Sequence, residues 1–335
     1  MPEKQLQEHL FQRIKEALPP DKTLVESISE LLHVSPDSAY RRIRGETLLV
    51  LEEAKVLCEA YTISLDQLLG ITSRSVMFQN VEINSSQNDF KTYLLSILHE
   101  LEQLNSYHQK SIIYITNNIP FFYQLCFPPV LAFFYFSWMR NTVQHPDFLQ
   151  KNFSPDCLPA EIESIGKNIL SFYNKIPSTE IWNTESVNGV LVQIGYYRQT
   201  GVLAKSDAAI IYDGLRKTLE HLHLQAEVGR KFLPGENPHT KKDNLQIFYN
   251  RVGIGDNAIL TLRDNGKKLY LNYDTLSYMT TTDEAFCNAV QTQLQSIMRR
   301  STLISTVSEK QRNMFFNALY AKVPVLETDK IKPAP

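Results

Sequence analysis

Residues 23–45 read TLVESISELLHVSPDSAYRRIRG, and their pattern predicts two short helices joined by a tight turn in the N-terminal part of the chain. Thr23 is followed three residues later by Glu26, a spacing that lets the two side chains satisfy free amide groups at a helix start. Apolar residues then recur at helical spacing as far as Leu32. The pattern predicts a helix over residues 24–32.

A second short helix follows at once. Ser35 supplies a new N-cap and Pro36 a first helical residue with a preset φ angle, while Gly45 supplies a stop. The predicted helix has about nine residues and is roughly 13 Å long at about 1.5 Å per residue. A helix of this size fits the major groove of DNA.

The two sides of this second helix differ in chemistry. A rotation of about 100° per residue places Ala39 and Ile43 on one side, where they can pack against the first helix. Arg41 lies on the opposite side, which we expect to face DNA. The residues predicted to contact DNA lie at the helix starts, on the outer side and on its flanks: Thr23, Ser35, Asp37, Ser38, Tyr40, Arg41, Arg42 and Arg44.

This region resembles the lambda-repressor-like, or Xre-type, helix-turn-helix family, whose recognition helix has the pattern V-S-x-x-x-[apolar]-x-R. Val34, Ser35, Ala39 and Arg41 match that pattern. The resemblance continues through a further amphipathic helix to the segment ISLDQLLG at 63–70, and so covers residues 1–70. It implies a transcriptional regulator that binds double-stranded DNA as a homodimer, on two half-sites about one helical turn apart.

Two positions depart from the family pattern. His33 stands where the family usually has a turn glycine, and His is one of the residues that tolerate a left-handed backbone better than most. Arg42 stands where the family has an apolar residue, and Ile43 is the neighbour expected to take the buried role.

The charge of residues 1–70 bears on how strongly they hold DNA. Eight Lys or Arg stand against twelve Asp or Glu, so 8 − 12 = −4. Most sequence-independent affinity comes from neutralised phosphates, so we expect weak nonspecific binding and a need for two copies. The same acidic balance supports an alternative hypothesis, a protein-interaction scaffold whose N-terminal bundle does not bind DNA.

Length and composition indicate a protein of two or three domains with substantial cores, since the chain has 335 residues, 43% of them hydrophobic, and a net charge of −2. A cationic N-terminal segment followed by an apolar run is absent, which predicts a cytoplasmic location. Four widely spaced cysteines predict reduced thiols rather than disulfides.

Catalytic and metal-binding motifs are not found in the sequence. His221 and His223 are two residues apart on a predicted helix and so point to different faces. Residues 253–258, GIGDNA, match a dinucleotide-binding pattern only superficially, because they lie between predicted strands, and they are interpreted as a turn. We therefore predict no catalytic residues, metal or cofactor.

Residues 119–139 form the one long stretch that is nearly free of charge. Pro128 and Pro129 divide it and leave a shorter helix from Pro128 to about Arg140. A buried core helix is the favoured interpretation, so no membrane partner is predicted, with an interfacial membrane anchor as the alternative.

The rest of the chain is predicted to be mainly helical. Residues 71–88 read as a linker, with a short strand between Val76 and Ile83, and a long helix begins at Asp89. Its apolar residues suit either a dimeric coiled-coil seam or core packing. The apolar face is wider than a coiled-coil seam, so core packing is favoured. Further helices are predicted at 159–173, 184–199, 206–230, 282–300 and 308–321, the last with a capping box from Ser308 to Gln311.

A small β-rich part interrupts these helices. A strand is predicted at 245–250, and a hairpin at 259–273 around residues 264–267, DNGK. The predicted fold class is thus mainly α, with a helix-turn-helix bundle at 1–70, a helical regulatory and dimerisation domain with a small antiparallel hairpin sheet at 89–322, and a disordered tail at 323–335. Aromatic residues at 121–123, 182 and 196–197 either pack the core or line a pocket for a small-molecule or peptide effector.

Overall fold

The computed structural model describes residues 3–18, 22–61, 63–65, 68, 76–80, 90–238, 243–252, 257–272 and 278–325. The chain divides into two units, Met1–Val76 and Met77–Pro335. Most of the predicted linker, the interpreted turn at 253–256 and residues 326–335 of the predicted tail lie outside the described residues.

The first unit contains four described helices around a small apolar core. They are α1 (Glu3–Ala17), α2 (Leu24–Leu32), α3 (Pro36–Ile43) and α4 (Leu51–Ala60). Ile28 of α2 and Ala39 of α3 have no exposed surface, and Ile14 and Leu57 join them from α1 and α4. The periodicity read from the sequence thus places the correct side of each short helix inward.

The predicted bounds of α2 are confirmed, and its caps explain why. The Thr23 hydroxyl accepts from the Glu26 amide at 3.3 Å, while the Thr23 amide donates to the Glu26 carboxylate at 3.1 Å. At the other end, His33 adopts the left-handed conformation, with φ 53° and ψ 42°. Ser35 caps α3 through the Ser38 amide, and α3 begins at Pro36 as expected.

The second unit is built on a mixed sheet of eight described strands. Their order across the sheet is β1-β7-β6-β5-β2-β3-β4-β8. The central strands β2, β3 and β4 are parallel, and every other pair is antiparallel. The bounds are β1 (Gln79–Asn80), β2 (Lys110–Ile115), β3 (Ser178–Trp182), β4 (Leu245–Tyr249), β5 (Ala258–Arg263), β6 (Gly266–Asn272), β7 (Tyr278–Thr281) and β8 (Thr302–Leu303).

Eight helices of this unit are described, together with two 3₁₀ helices. The α-helices are α5 (Phe90–Ser106), α6 (Pro128–Asn141), α7 (Pro146–Gln150), α8 (Ala160–Tyr173), α9 (Asn188–Gln199), α10 (Lys205–Val228), α11 (Glu284–Arg299) and α12 (Glu309–Lys322). The 3₁₀ helices are Phe121–Leu125 and Pro155–Cys157.

Apolar side chains cover both faces of the sheet, giving a three-layer arrangement. Along β2, Ile112 and Tyr114 point to one face and Ile113 and Ile115 to the other, and all four are buried. The first face carries a large core with side chains from α5, α6, α8, α9, α10 and α12. The second face packs on α11. Both faces of the central strands are therefore hidden from water.

The predicted fold class was wrong for the second unit. The hairpin is present, with Arg263 opposite Gly266, but it belongs to a large mixed sheet rather than to a small antiparallel one. The capping box at Ser308 was also wrong, because Ser308 has a left-handed backbone and its side chain caps no amide. Helix α5 packs into the core through Phe90, Leu94 and Leu101, as the favoured interpretation expected.

Candidate functional site

The outer face of α3 presents three side chains suited to nucleic acid. Tyr40 is 48% exposed, and the side chains of Arg41 and Arg44 are 60% and 59% exposed. The Arg44 guanidinium lies 5.6 Å from the centre of the Tyr40 ring. Guanidinium groups can bind phosphates and pair with guanine, and a tyrosine can donate a hydrogen bond to phosphate.

Both exposed arginines pair with an exposed carboxylate. Arg41 Nη2 lies 3.1 Å from Asp37 Oδ2, one helical turn earlier, and Arg44 Nε lies 3.4 Å from Glu46 Oε1. Exposed ion pairs of this kind contribute little to stability. These arginines can therefore exchange a carboxylate for a phosphate or a base at small cost, whereas Asp37 itself would repel DNA.

Arg42 differs from its two neighbours because it points inward. Its side chain is 16% exposed, and it donates to both oxygens of Glu53 in α4, at 3.1 Å from Nε and 2.7 Å from Nη2. Nη1 donates to the Ser38 carbonyl at 3.2 Å. The pKa of Glu53 is lowered, mainly because Arg42 donates hydrogen bonds to its carboxylate. Arg42 thus joins α3 to α4 instead of facing DNA.

Three further residues predicted to contact DNA act as helix caps or lie beside them. Thr23 and Ser35 are exposed, and their hydroxyls accept from the amides of Glu26 and Ser38. Ser38 is half-buried, and its hydroxyl accepts from that of Ser35 at 3.0 Å. The face formed by Asp37, Tyr40, Arg41 and Arg44 is hereafter the α3 face.

Gln7 of α1 is a positioning residue that sequence reasoning missed. Its amide nitrogen donates to the carbonyls of Arg42 at 2.7 Å and Thr47 at 2.9 Å, and its amide oxygen accepts from the Leu49 amide at 3.0 Å. The side chain is 7% exposed. It fixes the loop between α3 and α4, and no local pattern reveals such a contact between distant residues.

A buried acid lies in the core of the second unit. Glu180 of β3 has no exposed surface and accepts from the Tyr123 hydroxyl at 2.7 Å, the Tyr173 hydroxyl at 2.6 Å and the Trp182 indole at 3.0 Å. Burial, and then the nearby Glu180 charge, raise the pKa of both tyrosines. These hydrogen bonds supply the donors that the oxygens of a buried carboxylate require.

Lys231 lies in the same core and is also fully buried. Its Nζ donates to the carbonyls of Tyr173 at 2.9 Å and Ile176 at 2.5 Å and lies 3.7 Å from the centre of the Tyr173 ring. Burial lowers the pKa of Lys231 to about 7, and the Glu180 charge opposes that shift. The two groups are enclosed by the core, so we interpret them as structural.

A cavity of about 420 Å³ opens at one edge of the sheet in this unit. Phe121 and Tyr196, two of the aromatic residues proposed from sequence as pocket residues, line it. Tyr123, Trp182 and Tyr197 instead pack in the core, as does Phe122, which also lines the cavity beside α5. A second, more apolar cavity of about 230 Å³ lies beside α5.

The cysteines, the two neighbouring histidines and the apolar helices were also singled out in the sequence, and all are among the described residues. All four cysteines are free thiols, and burial raises the pKa of Cys126 to about 12 and of Cys157 to about 11. His221 and His223 contact Phe232 and Asn313 respectively, and no cluster of metal-ligating side chains occurs among the described residues. No described helix is both long and apolar enough to cross a bilayer.

No protein family model matches this chain, and no curated protein matches it.

Proposed function

We propose that this protein is a sequence-specific transcriptional regulator that binds double-stranded DNA as a homodimer, with α3 as the helix that enters the major groove. The observation that carries the proposal is the α3 face. It combines the exposed Tyr40 and Arg41 of an eight-residue helix with the exposed guanidinium of Arg44, the residue that caps its C-terminal end. Such a helix presents several side chains to base edges and phosphates at once.

The local architecture supports the same proposal. The α3 helix is held from behind by Ala39 against Ile28 in the core, from the side by Arg42 with Glu53, and at its end by Gln7. A rigidly supported helix loses little conformational entropy on binding. The resemblance of residues 1–70 to Xre-type proteins agrees with this use of α3.

The dimer in this proposal follows from charge. Residues 1–70 carry a net charge of −4, as 8 − 12, and the α3 face offers two arginines. One copy would neutralise few phosphates, whereas two copies on adjacent half-sites double those contacts. The proposal includes a cytoplasmic location, because a regulator must reach chromosomal DNA.

Selection from a randomised DNA library, followed by fluorescence anisotropy of the enriched duplexes, tests this function. We expect the full-length protein to enrich a two-fold symmetric sequence whose half-site centres are about 10 base pairs apart. Light scattering should show that the complex holds two protein chains per duplex. If a folded, dimeric sample enriches no sequence even at low salt, the regulator proposal fails and the interaction scaffold is favoured.

A further inference from the structure

The 420 Å³ cavity of the second unit lies where an open sheet with parallel strands commonly binds ligands. Thr116 and Asn118 follow the carboxyl end of β2, and Ser186 follows that of β3. Since β5 and β6 run antiparallel, Asn257 before β5 and Asn272 at the end of β6 lie at this same edge. Chain topology thus gathers polar side chains from distant segments into one place.

One wall of the cavity is made of amides and hydroxyls. Asn257 Oδ1 accepts from the Asn117 amide at 3.0 Å, which fixes the side chain and leaves its Nδ2 as a donor. Gln124 Nε2 donates to the Ile119 carbonyl at 3.1 Å, which leaves its Oε1 as an acceptor. The cavity therefore offers both a donor and an acceptor whose orientations are set by the protein.

The other wall is aromatic and aliphatic. Phe121 from the 3₁₀ helix and Phe133 and Phe134 from α6 line it, with Val130 and Leu215 beside them. The rim carries exposed groups, namely Asn118, Val192 and Tyr196, the last two on α9. A ligand can reach this space from solvent and bury an apolar surface there.

None of the described residues that line the cavity is charged. A charged ligand of either sign would lose its hydration here without gaining a partner of opposite charge among these residues, which is costly. An uncharged ligand with hydrogen-bonding edges has no such cost.

We propose that this cavity binds an uncharged small molecule that carries a ring amide, with its donor and acceptor edge on the amide wall and its apolar face on the phenylalanine wall. Two sources share this chemistry, namely nucleosides whose base contains a ring amide, such as uridine and guanosine, and cyclic dipeptides. The cavity volume falls within the range of sites for molecules of this size. This cavity would be the effector site of the proposed regulator. Its role in regulation therefore rests on the proposed function.

Two glycines of α9 provide a matched pair of variants. A Cβ atom at Gly189 would lie 2.5 Å from Asn118 Oδ1 at the cavity rim, whereas a Cβ at Gly195 would meet nothing within 4 Å. Both glycines belong to the same helix, Gly189 in its first turn and Gly195 in its interior, so neither change to alanine should weaken the helix itself. We expect Gly189→Ala to displace the Asn118 side chain and to narrow the cavity. Gly195→Ala makes the same chemical change in the same helix without a contact, so it is the control.

The test is isothermal titration calorimetry of the full chain without DNA, after a thermal-shift screen. The panel holds nucleosides, their 5′-monophosphates, cyclic dipeptides and the matching linear, zwitterionic dipeptides. We expect one uncharged class to bind, its charged counterpart to bind at least 10-fold more weakly, and Gly189→Ala but not Gly195→Ala to weaken binding at least 10-fold. Which class binds distinguishes the two sources.

Three outcomes would overturn the inference: no uncharged compound binds, the charged counterparts bind equally well, or both alanine variants behave like the wild type. Circular dichroism and thermal unfolding establish that each variant is folded. Because calorimetry involves no DNA and the DNA selection involves no ligand, failure of the effector site and failure of the proposed regulator function are seen separately.

Discussion

Arg42 and Glu53 form an ion pair with two hydrogen bonds between α3 and α4, and both side chains are less than 20% exposed, at 16% and 19%. Arg41 and Arg44, on either side of Arg42 in the sequence, are mostly exposed. Three arginines within four residues thus divide into one that supports the helix and two that it presents to solvent. Their functions should be separable by mutation.

Arg42→Met should lower the free energy of unfolding of the first unit by about 1–3 kcal/mol, because it leaves the Glu53 carboxylate half-buried without its partner. Hydrogen exchange of the α2–α4 amides in the full chain measures this. Glu53→Gln should cost a similar amount, and the double variant should cost less than the two combined. Additive effects would show that the ion pair is not coupled.

Arg41→Ala should weaken specific DNA binding by about 1–3 kcal/mol if the guanidinium contacts a base, with hydrogen exchange of α2–α4 unchanged. The stability is expected to hold because the exposed pair with Asp37 contributes little. Anisotropy titrations on the selected duplex measure the loss. If this variant binds the duplex with wild-type affinity, Arg41 does not contact DNA.

Asp37→Asn should strengthen binding to nonspecific DNA, because it removes a negative charge 3.1 Å from the Arg41 guanidinium on the α3 face. The logarithm of the binding constant should fall more steeply with the logarithm of the salt concentration. The increase in slope should be about that expected for one additional phosphate contact. Glu30→Gln, which removes an exposed carboxylate that pairs with Lys22 instead, is the control. Equal effects of the two variants would indicate a response to net charge alone.

His33→Gly should raise the free energy of unfolding of the first unit by about 0.5–1 kcal/mol. His33 has φ 53°, a conformation that glycine adopts without the Cβ penalty. His33→Val should lower it, since a β-branched residue is poorly tolerated there. Hydrogen exchange of α2 and α3 measures both changes. If His33→Val were more stable than His33→Gly, the left-handed conformation of residue 33 would be contradicted.

These results show which features the sequence allowed us to predict. The bounds of α2 and the start of α3 depend on contacts between residues only three apart, Thr23 with Glu26 and Ser35 with Ser38, so a local pattern reveals them. The outward direction of Arg41 followed from helical periodicity. The inward direction of Arg42 did not, because it depends on Glu53 in another helix.

The large sheet was missed for a related reason. Strands β2 and β3 are buried on both faces, so they lack the polar–apolar alternation that marks a half-exposed strand. In β3 a carboxylate also interrupts the apolar run, and Glu180 is acceptable there because Tyr123, Tyr173 and Trp182 donate to it. The amide wall of the cavity likewise joins Asn257 to residues far away in sequence.

Lys231 should make the stability of the second unit depend on pH. Its pKa is about 7 in the folded chain and near its ordinary value of 10.5 when unfolded. Between these values the unfolded chain holds a proton that the folded chain has released, so the free energy of unfolding should increase as the pH rises above 7. The slope can reach about 1.4 kcal/mol per pH unit.

Urea denaturation between pH 6.5 and 8.5 measures this slope, followed by the fluorescence of Trp138 and Trp182, which are both buried in the second unit. Lys231→Met keeps an unbranched side chain but has no proton to lose, so its slope should be smaller than that of the wild type. Equal slopes would mean that Lys231 does not titrate in this range.

The position of β2 in the middle of the sheet has a consequence for how the chain folds during synthesis. Ile112 lies opposite Ser178 on one side and Thr261 on the other, so neither edge of β2 is covered until much later segments have left the ribosome. Pairing of such distant segments is slow, whereas α1–α4 need only nearby residues. We therefore expect the N-terminal bundle to fold early in synthesis, while both edges of β2 stay unpaired until those later segments emerge.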